Sequence, residues 1–119
     1  TNDIGKDVPV NEALNNLEAI IQSIARDYPL TEMKLLSILP VNEGEEYKGT
    51  VYLRTNEKIQ DLNRAYQGLA SIYTNVQFID LYETLLDETG QLGQEFTTDG
   101  LHLTIAGYAV LSSELDKYL

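Results

Sequence analysis

Asp99 and His102 stand three residues apart in the stretch Thr97-Thr98-Asp99-Gly100-Leu101-His102-Leu103-Thr104. His102 is the only histidine of the chain, so any step that needs an imidazole passes through it. A carboxylate held beside an imidazole accepts the Nδ1 proton, fixes the tautomer and leaves Nε2 free to act as a base. On its own a D-x-x-H is short and common, and as a bare motif it reads first as an acid and a histidine in a surface loop. Its weight depends on what the rest of the chain does to position it.

Other chemistries find less support. There is no cysteine, hence no disulfide, thiolate nucleophile or cysteine metal site. One histidine among scattered carboxylates is a poor zinc or transition-metal set. No P-loop or G-x-G-x-x-G occurs, and no spacing singles out a carboxylate pair for glycoside hydrolysis. The sequence therefore calls for no cofactor. Nineteen acidic residues against 8 basic ones give a formal charge of −11, which repels phosphate backbones and anionic membranes. Nucleic acid and membrane are thus not expected partners. No apolar run approaches the roughly 20 residues of a membrane helix. No leader is visible, the chain opens on Thr1, and a cytoplasmic location is the expectation.

The elements that must carry the pair follow from hydrophobic periodicity. Asn11 is the expected cap of a helix whose face is Leu14, Leu17, Ile21, Ile24 and Tyr28, ended by Pro29. Met33–Leu39 reads as a buried parallel strand stopped by Pro40. A loop over 41–49 leads to a helix beginning near Val51 or Thr55, with Ile59, Leu62, Tyr66, Leu69 and Tyr73 inward. Val76–Asp80 reads as a second strand, Leu81–Leu86 as a helical piece, and Gly90 and Gly93 mark an irregular segment. Thr104 caps the last helix, whose expected inner face is Tyr108, Leu111, Leu115 and Leu119. Tyr66, Tyr73 and Tyr108 are assigned to the core, and Tyr47 and Tyr52 either to a pocket or to the surface.

Alternating helices and strands predict an α/β chain with a parallel sheet, its two strands adjacent, and the Leu14 and Leu111 faces packed on it. Sites in such sheets lie at the carboxyl ends of the strands. Asn2-Asp3, Pro40-Val41-Asn42 and the region from Asp80 to His102 all fall there. Two strands make a poor sheet, so further strands are expected ahead of Thr1.

Several blocks carry a family likeness. Thr1-Asn2-Asp3 resembles the end of the G-x-N-D block of the SGNH hydrolases, also called GDSL-type esterases or lipases. Asp99-Gly100-Leu101-His102-Leu103-Thr104 with Gly107-Tyr108 is similar to that family's D-x-x-H block. Leu39-Pro40, and Asn56, Ile59, Leu62 and Asn63 on the following helix, are similar to the branch named for platelet-activating factor acetylhydrolase. The resemblance covers essentially the whole chain.

It implies a flavodoxin-like three-layer α/β/α fold of five parallel strands and a serine esterase mechanism. His102 would be the base, Asp99 its orienting carboxylate, and Asn2 an oxyanion donor. The family's Gly-Asp-Ser-Leu block is absent, and none of Ser23, Ser37, Ser71, Ser112 and Ser113 stands in that context. Residues 1–119 therefore read as the C-terminal part of one such domain, with an N-terminal segment of the same enzyme expected to supply the nucleophile. A small-molecule ester is the implied substrate, and a homodimer fits the branch. Two other readings compete: a non-catalytic flavodoxin-like binding or signalling domain, and a metal-assisted hydrolase centred on His102.

Overall fold

A computed structural model describes residues 9–119. Helix α1 (Val10–Asp27) leads to strand β1 (Met33–Leu36), a 3₁₀ turn (Glu45–Tyr47) and a single helical turn, α2 (Lys48–Val51). Helix α3 (Asn56–Ala70) then crosses to strand β2 (Val76–Ile79). Two 3₁₀ turns, Tyr82–Leu85 and Gln94–Phe96, precede the last helix, α4 (Ile105–Asp116). The strands pair in parallel with Met33 opposite Val76 and Leu36 opposite Ile79. The expected adjacency is therefore present, with α3 as the crossover that parallel pairing requires.

β1 stops three residues before the expected Leu39. The reason lies in α3. Asn63 accepts the Ile38 N–H at 2.7 Å and donates to the Ile38 carbonyl at 2.9 Å. One helical repeat of seven residues earlier, Asn56 does the same for Val41, at 2.8 and 2.9 Å. Two side-chain amides thus take the place of a neighbouring strand for residues 38–41. Both are nearly buried, so each satisfies backbone groups that water cannot reach. Ser37 is engaged in the same way: its Oγ accepts the Leu81 N–H at 2.8 Å.

Helix starts follow local chemistry. α1 begins one residue before the expected cap. Pro9 (φ −58°) is the capping residue, and its carbonyl accepts from Glu12 and Ala13. Proline presets φ and has no N–H to leave unpaired. Thr55 caps α3 through Lys58 N–H, and Thr104 caps α4 through Gly107 N–H, the latter as expected.

The core joins Ala13 of α1, Val41, Val51, Ile59 and Leu62 of α3, and Tyr82, with Ile38, Tyr47, Tyr66, Leu86 and Leu101 packed against it. α3 lies on β2, but α1 packs chiefly on α3, and α4 on the two 3₁₀ turns rather than on the strands. The inner face of α4 also differs from expectation. Tyr108 and Leu119 are 60% and 78% exposed, and Gly107 is the buried residue of the helix. A Cβ at Gly107 would come within 3.0 Å of the Phe96 carbonyl, so close approach at a glycine sets the face. Tyr73 is half-buried and donates its hydroxyl to Glu18 at 3.0 Å.

Candidate active site

The segment from Thr97 to Leu103 is a loop closed at its neck by an antiparallel bridge between those two residues. Leu101 reaches down onto the core, and this turns its neighbour His102 outward, with a side chain 74% exposed. Gly100 sits at φ +86°, a conformation costly for any residue with a Cβ. A Cβ there would meet Tyr47 Cβ at 2.5 Å and Val51 Cγ2 at 2.9 Å. Gly100 is thus needed for both its backbone angle and its closeness to the floor. Its carbonyl accepts the Asn42 N–H at 2.9 Å, which ties the loop to the segment after β1.

Gly100→Ala should therefore destabilise the protein by roughly 2–4 kcal/mol, strain and overpacking together. Gly90, at φ +82° with open space where a Cβ would go, is the control. Gly90→Ala carries the strain alone and should cost about 1–2 kcal/mol. Urea unfolding of the two variants measures the difference. Equal losses would mean that Tyr47 simply moves aside.

On this loop Asp99 and His102 meet as expected. Asp99 Oδ2 lies 2.6 Å from His102 Nδ1. Asp99 Oδ1 accepts the N–H groups of Leu101 and His102 at 2.9 and 2.7 Å. One carboxylate oxygen thus holds the loop and the other holds the ring. Partial burial pushes the Asp99 carboxyl up, but it is outweighed by the hydrogen bond from the ring, the two backbone N–H groups and the imidazole's charge. Together they keep the carboxyl well below the usual range. A carboxyl whose pKa is lower folded than unfolded adds stability that is complete above the ordinary value of 3.8 and is lost as pH falls below it. The group therefore stays ionised, and able to orient the ring, throughout neutral and mildly acid conditions.

Beside His102 opens an apolar cleft of about 360 Å³, lined by Ile38, Leu39, Pro40, Leu101, Leu103, Tyr108 and Leu111. The two edge segments expected to converge, Pro40-Val41-Asn42 and the Asp99 loop, do so. Asn2 lies outside the described residues. None of the five serines bonds to His102 among the described residues. Ser37 serves Leu81, Ser71 the Gly68 carbonyl, and Ser23 accepts from Arg26. No group of three His, Asp or Glu side chains is placed to hold a metal ion among the described residues. No helix there is long and apolar enough to cross a membrane. Tyr52 is 73% exposed, whereas Tyr47 packs beneath Gly100.

Sequence reading missed the two asparagines as braces and Thr97 as a buried polar centre. The signals were there. Asn56 and Asn63 interrupt the apolar face that Ile59 and Leu62 define, and a polar residue on an inward face must find partners. Thr97 precedes Asp-Gly in a pattern suited to side-chain-to-backbone turns.

Comparison with known proteins shows the family and the fold. Residues 1–110 match the model of the GDSL-like lipase/acylhydrolase family. An isoamyl acetate-hydrolyzing esterase of Saccharomyces cerevisiae is 28% identical over 94% of this chain and 48% of its own length. An N-acylneuraminate cytidylyltransferase of Escherichia coli is 32% identical over 97% of this chain but only 25% of its own. A solved structure from Streptococcus pneumonia, provisionally described as a platelet activating factor, superposes with a TM-score of 0.96 at 70% identity. It is matched over 98% of this chain and 55% of that one. A provisionally assigned acylhydrolase of Bacteroides fragilis shares the fold, with a TM-score of 0.80 at 21% identity over 99% and 56% of the two chains. The chain spans between a quarter and about half of the length of these relatives.

Proposed function

Because this chain belongs to the GDSL-like lipase/acylhydrolase family, we propose that it is the acid–base part of a serine hydrolase cleaving small acyl esters. The serine comes from a segment upstream of Thr1. The observation that carries the reading is the 2.6 Å contact between Asp99 Oδ2 and His102 Nδ1 beside an apolar cleft.

In this reading Asp99 remains a carboxylate and keeps the ring proton on Nδ1, so the lone pair of Nε2 faces the substrate. Nε2 takes the serine hydroxyl proton as the serine oxygen attacks the ester carbonyl. The tetrahedral oxyanion is met by donors, among them the side-chain amide of Asn2. When the carbonyl reforms, the bond to the alcohol breaks and His102 returns the proton to the departing alkoxide. Water repeats the sequence on the acyl-enzyme, releasing the acid and restoring the serine. Transient charge on the imidazole is compensated by Asp99, already ionised, and no proton moves onto it. The apolar lining of the cleft favours an acyl or alkyl group over a charged one.

The test is hydrolysis of p-nitrophenyl acetate by the protein with its upstream segment. A fluorophosphonate should abolish turnover by labelling a serine ahead of Thr1. Asn2→Ala should lower kcat by about 10²–10³ with a small change in KM, since an oxyanion donor acts in the transition state. Hydrolysis indifferent to fluorophosphonate would remove the serine mechanism. A change in KM alone would make Asn2 a residue of ground-state binding.

A further inference from the structure

Thr97 is 3% exposed, and its hydroxyl is the hub of the loop that carries the dyad. Thr97 Oγ1 accepts the Gly100 N–H at 2.9 Å and donates to the His102 carbonyl at 2.8 Å. It also lies 3.4 Å from Asp99 Oδ1. The backbone of the same residue bridges to Leu103 and closes the loop's neck. One side chain thus spans the interior of the loop, joining the Gly100 N–H next to Asp99 to the His102 carbonyl.

We infer that Thr97 is a positioning residue: its buried hydroxyl sets the separation of Asp99 from His102 and thereby keeps the imidazole in its working tautomer and direction. The inference rests on the esterase reading for its kinetic consequence, but not for its geometry. Among the described residues the Gly100 N–H bonds to that hydroxyl alone, whereas the His102 carbonyl also takes part in the bridge that closes the loop's neck. Remove the hydroxyl and the Gly100 N–H must seek water, while the His102 carbonyl loses its one side-chain donor. The loop can only admit water by opening, and opening separates the two side chains that hang on it. The His102 side chain is 74% exposed, so little packing holds it in place. Its position is inherited from the backbone beneath it and from Asp99, and Thr97 governs both.

The test compares Thr97→Val, which keeps the shape and loses the hydroxyl, with Thr97→Ser, which keeps the hydroxyl and loses a methyl group. In the protein with its upstream segment, Thr97→Val should lower kcat on p-nitrophenyl acetate by roughly 10–100-fold, the scale of an ångström's misplacement. KM should stay within about twofold, since no substrate contact is removed. Thr97→Ser should recover kcat to within about threefold of the parent, because the donor and acceptor are restored.

The second readout is the NMR signal of the His102 ring. The parent should show a strongly deshielded Nδ1 proton from the bond to Asp99, and Thr97→Val should weaken or lose it, while Thr97→Ser keeps it. That readout needs no substrate. A parent that hydrolyses no ester would overturn the esterase reading, and the ring signal would still decide the role of Thr97. The inference is overturned if Thr97→Val retains the Nδ1 signal, or if Thr97→Ser loses it to the same degree as Thr97→Val. The second result would mean that the methyl packing matters and the hydroxyl does not. Should Thr97→Val fail to fold, Thr97→Cys takes its place, with a weaker donor of similar size: a weakened Nδ1 signal supports the role, and an unchanged one overturns it.

Discussion

His102→Ala, in the protein with its upstream segment, should lower ester turnover by about 10⁶-fold, the loss seen when the base of a triad is removed. The size of the effect follows from His102 being the imidazole that Asp99 orients and the one imidazole of residues 1–119. Residues 1–119 hold no second histidine to take the serine proton and no cysteine to act in its place. The melting temperature should hardly move. The side chain is 74% exposed, and its one side-chain hydrogen bond among the described residues is to Asp99. Activity and stability are thus expected to separate cleanly, and thermal unfolding beside the kinetic assay checks both.

Asp99→Asn is the informative partner to that variant. An asparagine Oδ1 can still accept the Leu101 and His102 N–H groups, so the loop should hold. Its Nδ2 would then face Nδ1 as a donor and favour the wrong tautomer, for a loss of about 10⁴-fold. Near-normal turnover in His102→Ala would reject the mechanism altogether.

The second large effect concerns residues 1–119 alone, which should show no serine-dependent hydrolysis and regain it when the upstream segment is added. An activated hydroxyl must come within roughly 3 Å of the base. The serines of the described residues are engaged elsewhere or lie on α4, away from any bond to His102. The surfaces agree. Leu36 in β1 is 42% exposed, Ile105 is 90% exposed, and β1 is paired only with β2 among the described residues. An apolar strand with one open edge invites pairing with another chain, so the piece alone should also be prone to association. The assay is p-nitrophenyl acetate hydrolysis before and after complementation, with a fluorophosphonate control. Fluorophosphonate-sensitive turnover by residues 1–119 alone would mean that one of the five serines is the nucleophile after all.

Periodicity carried the parallel pairing of the two strands, the crossover helix and the Thr104 cap, because each rests on a local rule that packing did not override. The Asp99–His102 contact was legible for the same reason, since a short step along the chain and one glycine suffice to bring the side chains together. What was not legible depended on distant partners. The early end of β1 is decided by Asn56 and Asn63, residues far along the chain whose amides compete with a strand. The face of α4 could not be chosen from pattern, because Ile105, Ala106, Tyr108, Ala109, Val110 and Leu111 leave it apolar on most sides. A glycine that lets backbone meet backbone decided it instead.

The double asparagine brace has a dynamic consequence. Residues 38–41 belong to no strand or helix, yet their amide groups are fastened to α3 at both ends. They can be released only when that helix lets go, so the stretch shares the helix's opening free energy rather than a loop's. Through Asn42 this stretch also anchors Gly100, directly beneath the dyad. The ground on which the imidazole stands thus fluctuates on the timescale of a core helix. In the esterase reading, the mobility that admits an ester to the cleft must come from the opposite wall, around Tyr108 and Leu111 of α4.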